Sequence, residues 1–302
     1  MRKHLPVGIA GGHFCRAAFG LIVTSAVLTW ASSAAAAIIA VDDFNEYDVG
    51  PLAGENGGSG WAAGWSTPAS PTPRGTVTTP TVPLDGPRAV AFTGASANNN
   101  PMRRQLAAGI SDPFYFSYTF RLTSPLGGSE FAVLWLDNNG TDFVANGGLH
   151  TTSSIFLGMS TTAFFGRLST NNSGDGSTTV NSTSVPQQDA NHTLVGHVFK
   201  SGSTKFDRLR FWVNPTLEDV ENGDNGFDVS RSISLDTISY LGFRTGQSTG
   251  TDDSFLVGSI RLGTTPADIV IVPEPATSLL LLVGMAAGPC WGIGLRRRRP
   301  IR

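Results

Sequence analysis

Two carboxylates facing one cleft can break a glycosidic bond, one as acid/base and the other as nucleophile. A Glu-x-Asp-x-x-Glu run on one strand would supply such a pair, and this 302-residue chain has none. Its nearest acidic cluster, Glu218-Asp219-Val220-Glu221, has the wrong spacing and lies in a turn-rich segment after Pro215. Between residues 38 and 271 the histidines are His150, His192 and His197. An odd separation puts His192 and His197 on opposite faces of a strand, so they read as ordinary strand residues. Neither a Gly-x-Ser-x-Gly elbow nor a phosphate-binding loop occurs. The cysteines, Cys15 and Cys290, fall near the two ends. That removes cysteine catalysis, thiolate zinc sites and disulfides from the stretch between them. The chain is therefore expected to be no enzyme, with no catalytic residue and no cofactor.

Binding chemistry remains. Asn222-Gly223-Asp224-Asn225-Gly226-Phe227-Asp228 offers hard oxygen ligands, with Asp224, Asn225 and Asp228 as calcium candidates. It lacks a twelve-residue calcium loop ending in Glu, and its letters are also those that turns require. Asp137-Asn138-Asn139-Gly140-Thr141-Asp142 makes a similar offer and reads most simply as a hairpin turn. Trp61 and Trp65 sit in a Gly-rich loop and are candidates for stacking on sugar rings. Trp135 and Trp212 lie in strands and are expected in the core. From Ile38 to Ile271 there are 22 acidic and 13 basic residues, a net charge of about −9. No basic stripe exists, so nucleic acid is not an expected partner. Such an acidic surface keeps a protein soluble, and it could also hold calcium or face a hydrated polysaccharide.

Elements that would carry these residues begin after a leader. Arg2, Lys3, His4 and Arg16 precede an uncharged apolar run, Phe19 to Trp30, and a small-residue stretch, Ala31 to Ala37. This is the layout of a secretory signal peptide, residues 1–37, cleaved after Ala36 or Ala37. The rival is an uncleaved anchor, for which the apolar run is short. At the other end, Val272-Pro273-Glu274-Pro275 precedes an uncharged span, residues 276–295, and Arg296-Arg297-Arg298-Arg299. A span of that length as a helix covers the hydrocarbon core of a bilayer, and the arginines would stay on the cytoplasmic side. Residues 272–302 in this order resemble the PEP-CTERM sorting signal of Gram-negative bacteria. The resemblance implies an exosortase as processing partner, reading Pro273, Glu274 and Pro275, and an inner-membrane intermediate before the cell surface or extracellular matrix. An ordinary stop-transfer helix is the alternative.

The stretch between, residues 38–271, reads as all-β. Phe114 to Thr123 alternates Phe114, Phe116, Tyr118, Phe120 and Leu122 against Ser117, Thr119, Arg121 and Thr123. Phe131 to Leu136 is apolar on both faces, as a central strand should be. Further short runs are Ile155 to Met159, Ala163 to Leu168, Thr193 to Phe199, Phe206 to Val213, Ile238 to Phe243 and Phe255 to Leu262. About nine strands and no helices are expected, with loops at Ser66 to Gly86 and Ser169 to Ala190, as a β-sandwich or jelly roll.

Three segments carry a second resemblance. They are Asp43-Phe44-Asn45-Glu46-Tyr47-Asp48-Val49-Gly50-Pro51-Leu52 with Gly57-Gly58-Ser59-Gly60-Trp61 and Trp65, then Trp212-Val213-Asn214-Pro215, then Phe255 to Asp268. They resemble the concanavalin A-like, LamG-type jelly-roll domains of bacterial surface proteins, with Pro266 where that family usually has an aromatic. The resemblance implies a surface or matrix protein in a setting of exopolysaccharide production. A carbohydrate-binding module using Trp61 and Trp65 is the first rival, and a glycan-active enzyme the second.

Overall fold

The computed structural model describes residues 37–67, 75–95, 100–139, 152–170, 176–246 and 248–270. The signal segment up to residue 36, the Pro273-Glu274-Pro275 motif, the 276–295 span and Arg296 to Arg299 lie outside the described residues, as do His150 and residues 140–142. Among the described residues, no helix is long and apolar enough to cross a membrane.

Two antiparallel sheets face each other. The larger, of nine strands, runs β13 (Phe227–Ser230), β12 (Arg208–Val213), β11 (Asn191–Phe199), β6 (Phe114–Leu122), β15 (Ser254–Gly263), β4 (Ala89–Thr93), β3 (Gly75–Thr78) and β2 (Gly50–Pro51), while β1 (Ile38–Asp42) pairs β15. The smaller, of six strands, runs β10 (Ser177–Asn181), β9 (Phe164–Ser169), β8 (Ser154–Ser160), β7 (Phe131–Asp137), β14 (Ile238–Thr245) and β5 (Met102–Ile110). The core lies between their inner faces. Phe114, Phe116, Tyr118, Phe120 and Leu122 enter it from β6, and Ala132, Leu134 and Leu136 from β7. The alternating strand and the doubly apolar strand thus behave as their patterns require.

Three expectations are corrected. Helices exist: α1 (Leu217–Asn222) and α2 (Pro266–Ile269). Each opens on a reciprocal cap, Thr216 with Asp219 and Thr265 with Asp268, but is too short to show a 3.6-residue period. Among the described residues the strands number fifteen, against the expected nine or so. Both assigned loops also hold strands: β3 lies within Ser66 to Gly86, and β10 within Ser169 to Ala190. The polar β10 (Ser-Thr-Thr-Val-Asn) is a sheet edge with few buried positions, so no alternation marks it.

Candidate functional site

The sequence-selected residues are placed first. Trp65 is 2% exposed, and its indole donates to Asp42 Oδ2 at 2.8 Å. Trp61 is half-buried; it donates to the Val41 carbonyl at 2.9 Å, and the Arg104 guanidinium lies 4.8 Å from its ring centroid. These indoles tie the opening segment to β5. Asp42 Oδ2 also accepts from Tyr47 Oη at 2.7 Å and from Arg104 Nη1 at 2.5 Å, while Arg104 Nη2 donates to Asn56 Oδ1 at 2.8 Å. Asp42 and Arg104 form an ion pair with side chains about 1% exposed. Much of the family-like opening pattern is thus a structural knot.

Of the calcium candidates, the Asp228 and Asn225 side chains have protein partners, and Asp224 is engaged through its backbone carbonyl. Asp228 grips Arg210 with both oxygens, at 2.7 and 2.8 Å. Asn225 donates to Asp219, and the Asp224 carbonyl accepts from Trp212 Nε1 at 2.7 Å. Gly223, left-handed at φ 74°, ends α1, so this string turns the chain from helix into β13. The acidic cluster 218–221 lies in α1, where Asp219 serves as the cap partner of Thr216. Among the described residues, no three His, Cys, Asp or Glu side chains gather as metal ligands. His192 packs on Phe120 and Phe164 at the core, whereas His197 stacks on Tyr115 on the other side of β11, as the odd spacing requires. Trp135 and Trp212 are both buried.

What sequence reasoning missed is the outer face of the six-stranded sheet. Locking Arg104 inward forces Arg103, its neighbour on β5, to point outward. Strand register then aligns Arg167 (β9), Phe156 (β8), Trp135 (β7), Gly242 (β14) and Arg103 (β5) in one row across the sheet. The next row holds Phe165, Gly158, Val133 and Arg244. On the other side Asp137 pairs with Tyr240, which pairs with Gln105. Gly242 is required where it stands, because a Cβ there would lie 2.5 Å from the Trp135 ring and from the Met102 carbonyl.

The row is aromatic in its middle and cationic at its ends. Val133, Trp135, Phe156 and Phe165 form one buried cluster against Phe131 and Tyr240. Arg103 lies 4.8 Å over Tyr240 and Arg167 5.4 Å over Phe165, both in cation–π reach. At the margins Gln105 and Thr179 are exposed, and Arg103, Arg167 and Tyr240 half-buried. Within the six strands Asp137 is the only acidic residue. An acidic domain therefore carries on this side a locally cationic margin, Arg103, Arg167 and the half-buried Tyr240, around rings that are themselves buried. The outer face of the larger sheet differs: a groove of about 350 Å³ there is lined by hydroxyls and amides such as Ser117, Thr119, Thr193 and Asn214. Its one carboxylate, Asp85, is held by the Ser259 backbone N–H.

No family model matches this chain, and no curated protein matches it. Solved structures resemble it. One is an endo-β-1,4-glucuronan lyase from the fungus Trichoderma reesei, with 14% identity, TM-score 0.48, and 74% of this chain and 97% of that one covered. Another is a carbohydrate esterase from the Shiga toxin-encoding bacteriophage phi24B, with 14% identity, TM-score 0.47, and coverage of 76% and 99%. A third is a Bacteroides ovatus GH16 protein of a mixed-linkage glucan locus, in complex with a product, with 12% identity, TM-score 0.45, and coverage of 74% and 98%. At these values the likeness concerns fold and assigns no activity to this chain. The expectation that the chain is no enzyme is withdrawn, with a lyase and an esterase among the structures it resembles. That expectation rested on missing motifs, and each missing motif excludes only its own chemistry.

Proposed function

We propose that this chain is an exported jelly-roll protein that engages carbohydrate on the outer face of its six-stranded sheet. The row Arg167–Phe156–Trp135–Gly242–Arg103 carries this reading. Neighbouring strands lie about 4.8 Å apart, so the row sets rings and guanidiniums at a pitch comparable to a sugar ring. Phe156 and Trp135 are buried and set the row's spacing; the half-buried Tyr240 supplies a ring face suited to the apolar face of a sugar, and the Arg103 and Arg167 guanidiniums donate to sugar oxygens. The test is affinity electrophoresis of the full chain, in mild detergent, through gels containing polysaccharides. Retardation that weakens with Arg103→Ala or Tyr240→Ala is expected. A folded chain retarded by no polysaccharide would overturn the reading. Released sugar is measured in the same incubations, so cleavage counts as engagement alongside binding.

Delivery is the second half of the proposal. A signal peptide at residues 1–37 and a PEP-CTERM-type tail at 272–302 export the domain, hold it at the inner membrane, and present it to an exosortase for release to the surface or matrix. The support is the order of Pro273-Glu274-Pro275, apolar span and Arg296 to Arg299. Glu274→Ala should leave the tail untrimmed; normal trimming of that variant would remove the motif from the account.

A further inference from the structure

Arg244 has no visible reason to be a cation. It is 6% exposed, and its guanidinium carbon sits 5.3 Å from the ring centroids of both Phe131 and Phe156. Its Nε has no hydrogen-bond partner. No carboxylate forms an ion pair with it among the described residues. Arg121, of similar burial, shows the ordinary solution: its guanidinium donates to Asn191 Oδ1, to the Val82 carbonyl at 2.8 Å and to the Pro83 carbonyl at 3.1 Å. The nearest charge that bears on Arg244 is of the same sign. Burial first, and the charge of Arg167 second, push its pKa down to about 10, so it is still charged at neutral pH. Arg167 is also pushed down by burial, and its Nε donates to Thr179 Oγ1 at 2.8 Å.

A buried lone cation costs stability, and an apolar side chain of similar volume would pack between two phenyl rings without that cost. Among the described residues, what the site lacks is an anion. We propose that Arg244 and Arg167 form a receptor for the anionic substituent of an acidic sugar, a carboxylate or a sulfate ester, on the polysaccharide engaged by this face. This rests on the carbohydrate reading of that face. An oxyanion that presents two oxygens matches the guanidinium fork and would supply both acceptors and charge. Arg244 is 6% exposed, so the substituent would have to enter past the half-buried Phe131 and Arg167, with the sugar ring staying outside them. The domain's net charge of about −9 repels a polyanion as a whole, so retention of one would require a local receptor.

The experiment measures binding of the full chain, in mild detergent, to four polymers: alginate, carboxyl-reduced alginate, dextran sulfate and dextran. Alginate or dextran sulfate should bind about ten-fold or more tightly than its neutral counterpart, as expected for a charge-assisted pair. Preference for alginate identifies a carboxylate, and preference for dextran sulfate a sulfate ester. Arg244→Met and Arg167→Met should each lower the acidic polymer to the level of the neutral one. Arg244→Met should also melt no lower than the parent, which a packing role would not allow. Should it melt lower, Arg167→Met carries the test on its half-buried side chain. Equal affinity for charged and neutral polymers, or acidic binding untouched by either variant, overturns the receptor and leaves the carbohydrate reading standing. Retention of none of the four overturns both.

Discussion

Acid should weaken this protein through His197. Its ring is stacked on Tyr115, with centroids 4.0 Å apart and planes at 7°, and on Phe199 at 4.7 Å. Arg210 is its cross-strand partner on β12. Burial first, and the Arg210 charge second, push the His197 pKa down to about 4, against about 6.5 in an unfolded chain. Between those values the unfolded chain binds a proton that the native ring refuses, so stability falls as pH drops from 6.5 to 4. At pH 5 the linkage comes to about 2 kcal/mol, reduced to about 1 kcal/mol because the partly exposed ring is screened by solvent. For a domain of this size that is about 2–4 °C of melting temperature. His197→Phe keeps a stacked ring and removes the proton. Thermal melts of parent and variant at pH 7, 6 and 5 should therefore diverge by that amount as pH falls. His192, also lowered by burial, titrates in both chains and cancels. Parallel curves would refute the linkage.

Two further substitutions probe what holds the site in place. Asp42→Ala strands Arg104 in the core, orphans Trp65 Nε1 and takes from Tyr47 Oη its short acceptor. It should cost about 3–5 kcal/mol and lower the melting point by roughly 10 °C, whereas a drop below about 2 °C would deny the knot its role. Gly242→Ala drives a methyl into the Trp135 indole and the Met102 carbonyl. It should cost about 1–3 kcal/mol and change tryptophan emission, and an unchanged spectrum with unchanged stability would show that the row tolerates displacement.

The strands legible in sequence were those with a single period. In β6 five apolar side chains alternate with polar ones, and β7 is apolar throughout. Sequence gave no such sign of β5, where Arg103 and Arg104 adjoin. One arginine faces out, and the other is buried because Asp42, 62 positions earlier, neutralises it. A polar residue placed inside by a distant partner breaks the binary pattern that marks a strand. The site was hidden for a related reason. Tyr240, Gly242 and Arg244 share a face by simple alternation, but their neighbours Arg167, Phe156 and Trp135 come from three other strands. Only register brings them together. Gly-rich flanks did not make Trp65 exposed: it is buried, while Trp61 stays half-buried. In fact Gly58 and Gly60, at φ 72° and 83°, let that loop press onto the backbone of β1.

The position of β15 fixes when this fold can close. It lies inside the larger sheet, bonded to β6 on one side and to β4 and β1 on the other. Until its ten residues arrive, β1 has no partner strand, the β2–β3–β4 group is severed from the β6–β11–β12–β13 group, and the sheet exists only in fragments. The chain thus emerges from the ribosome in an order that postpones the long-range pairing on which assembly speed depends. Nearly the whole domain must be delivered before the larger sheet is continuous. A chain that passes through a narrow channel as a thread gains from such lateness, because the last strand to cross is also the one that closes the sandwich.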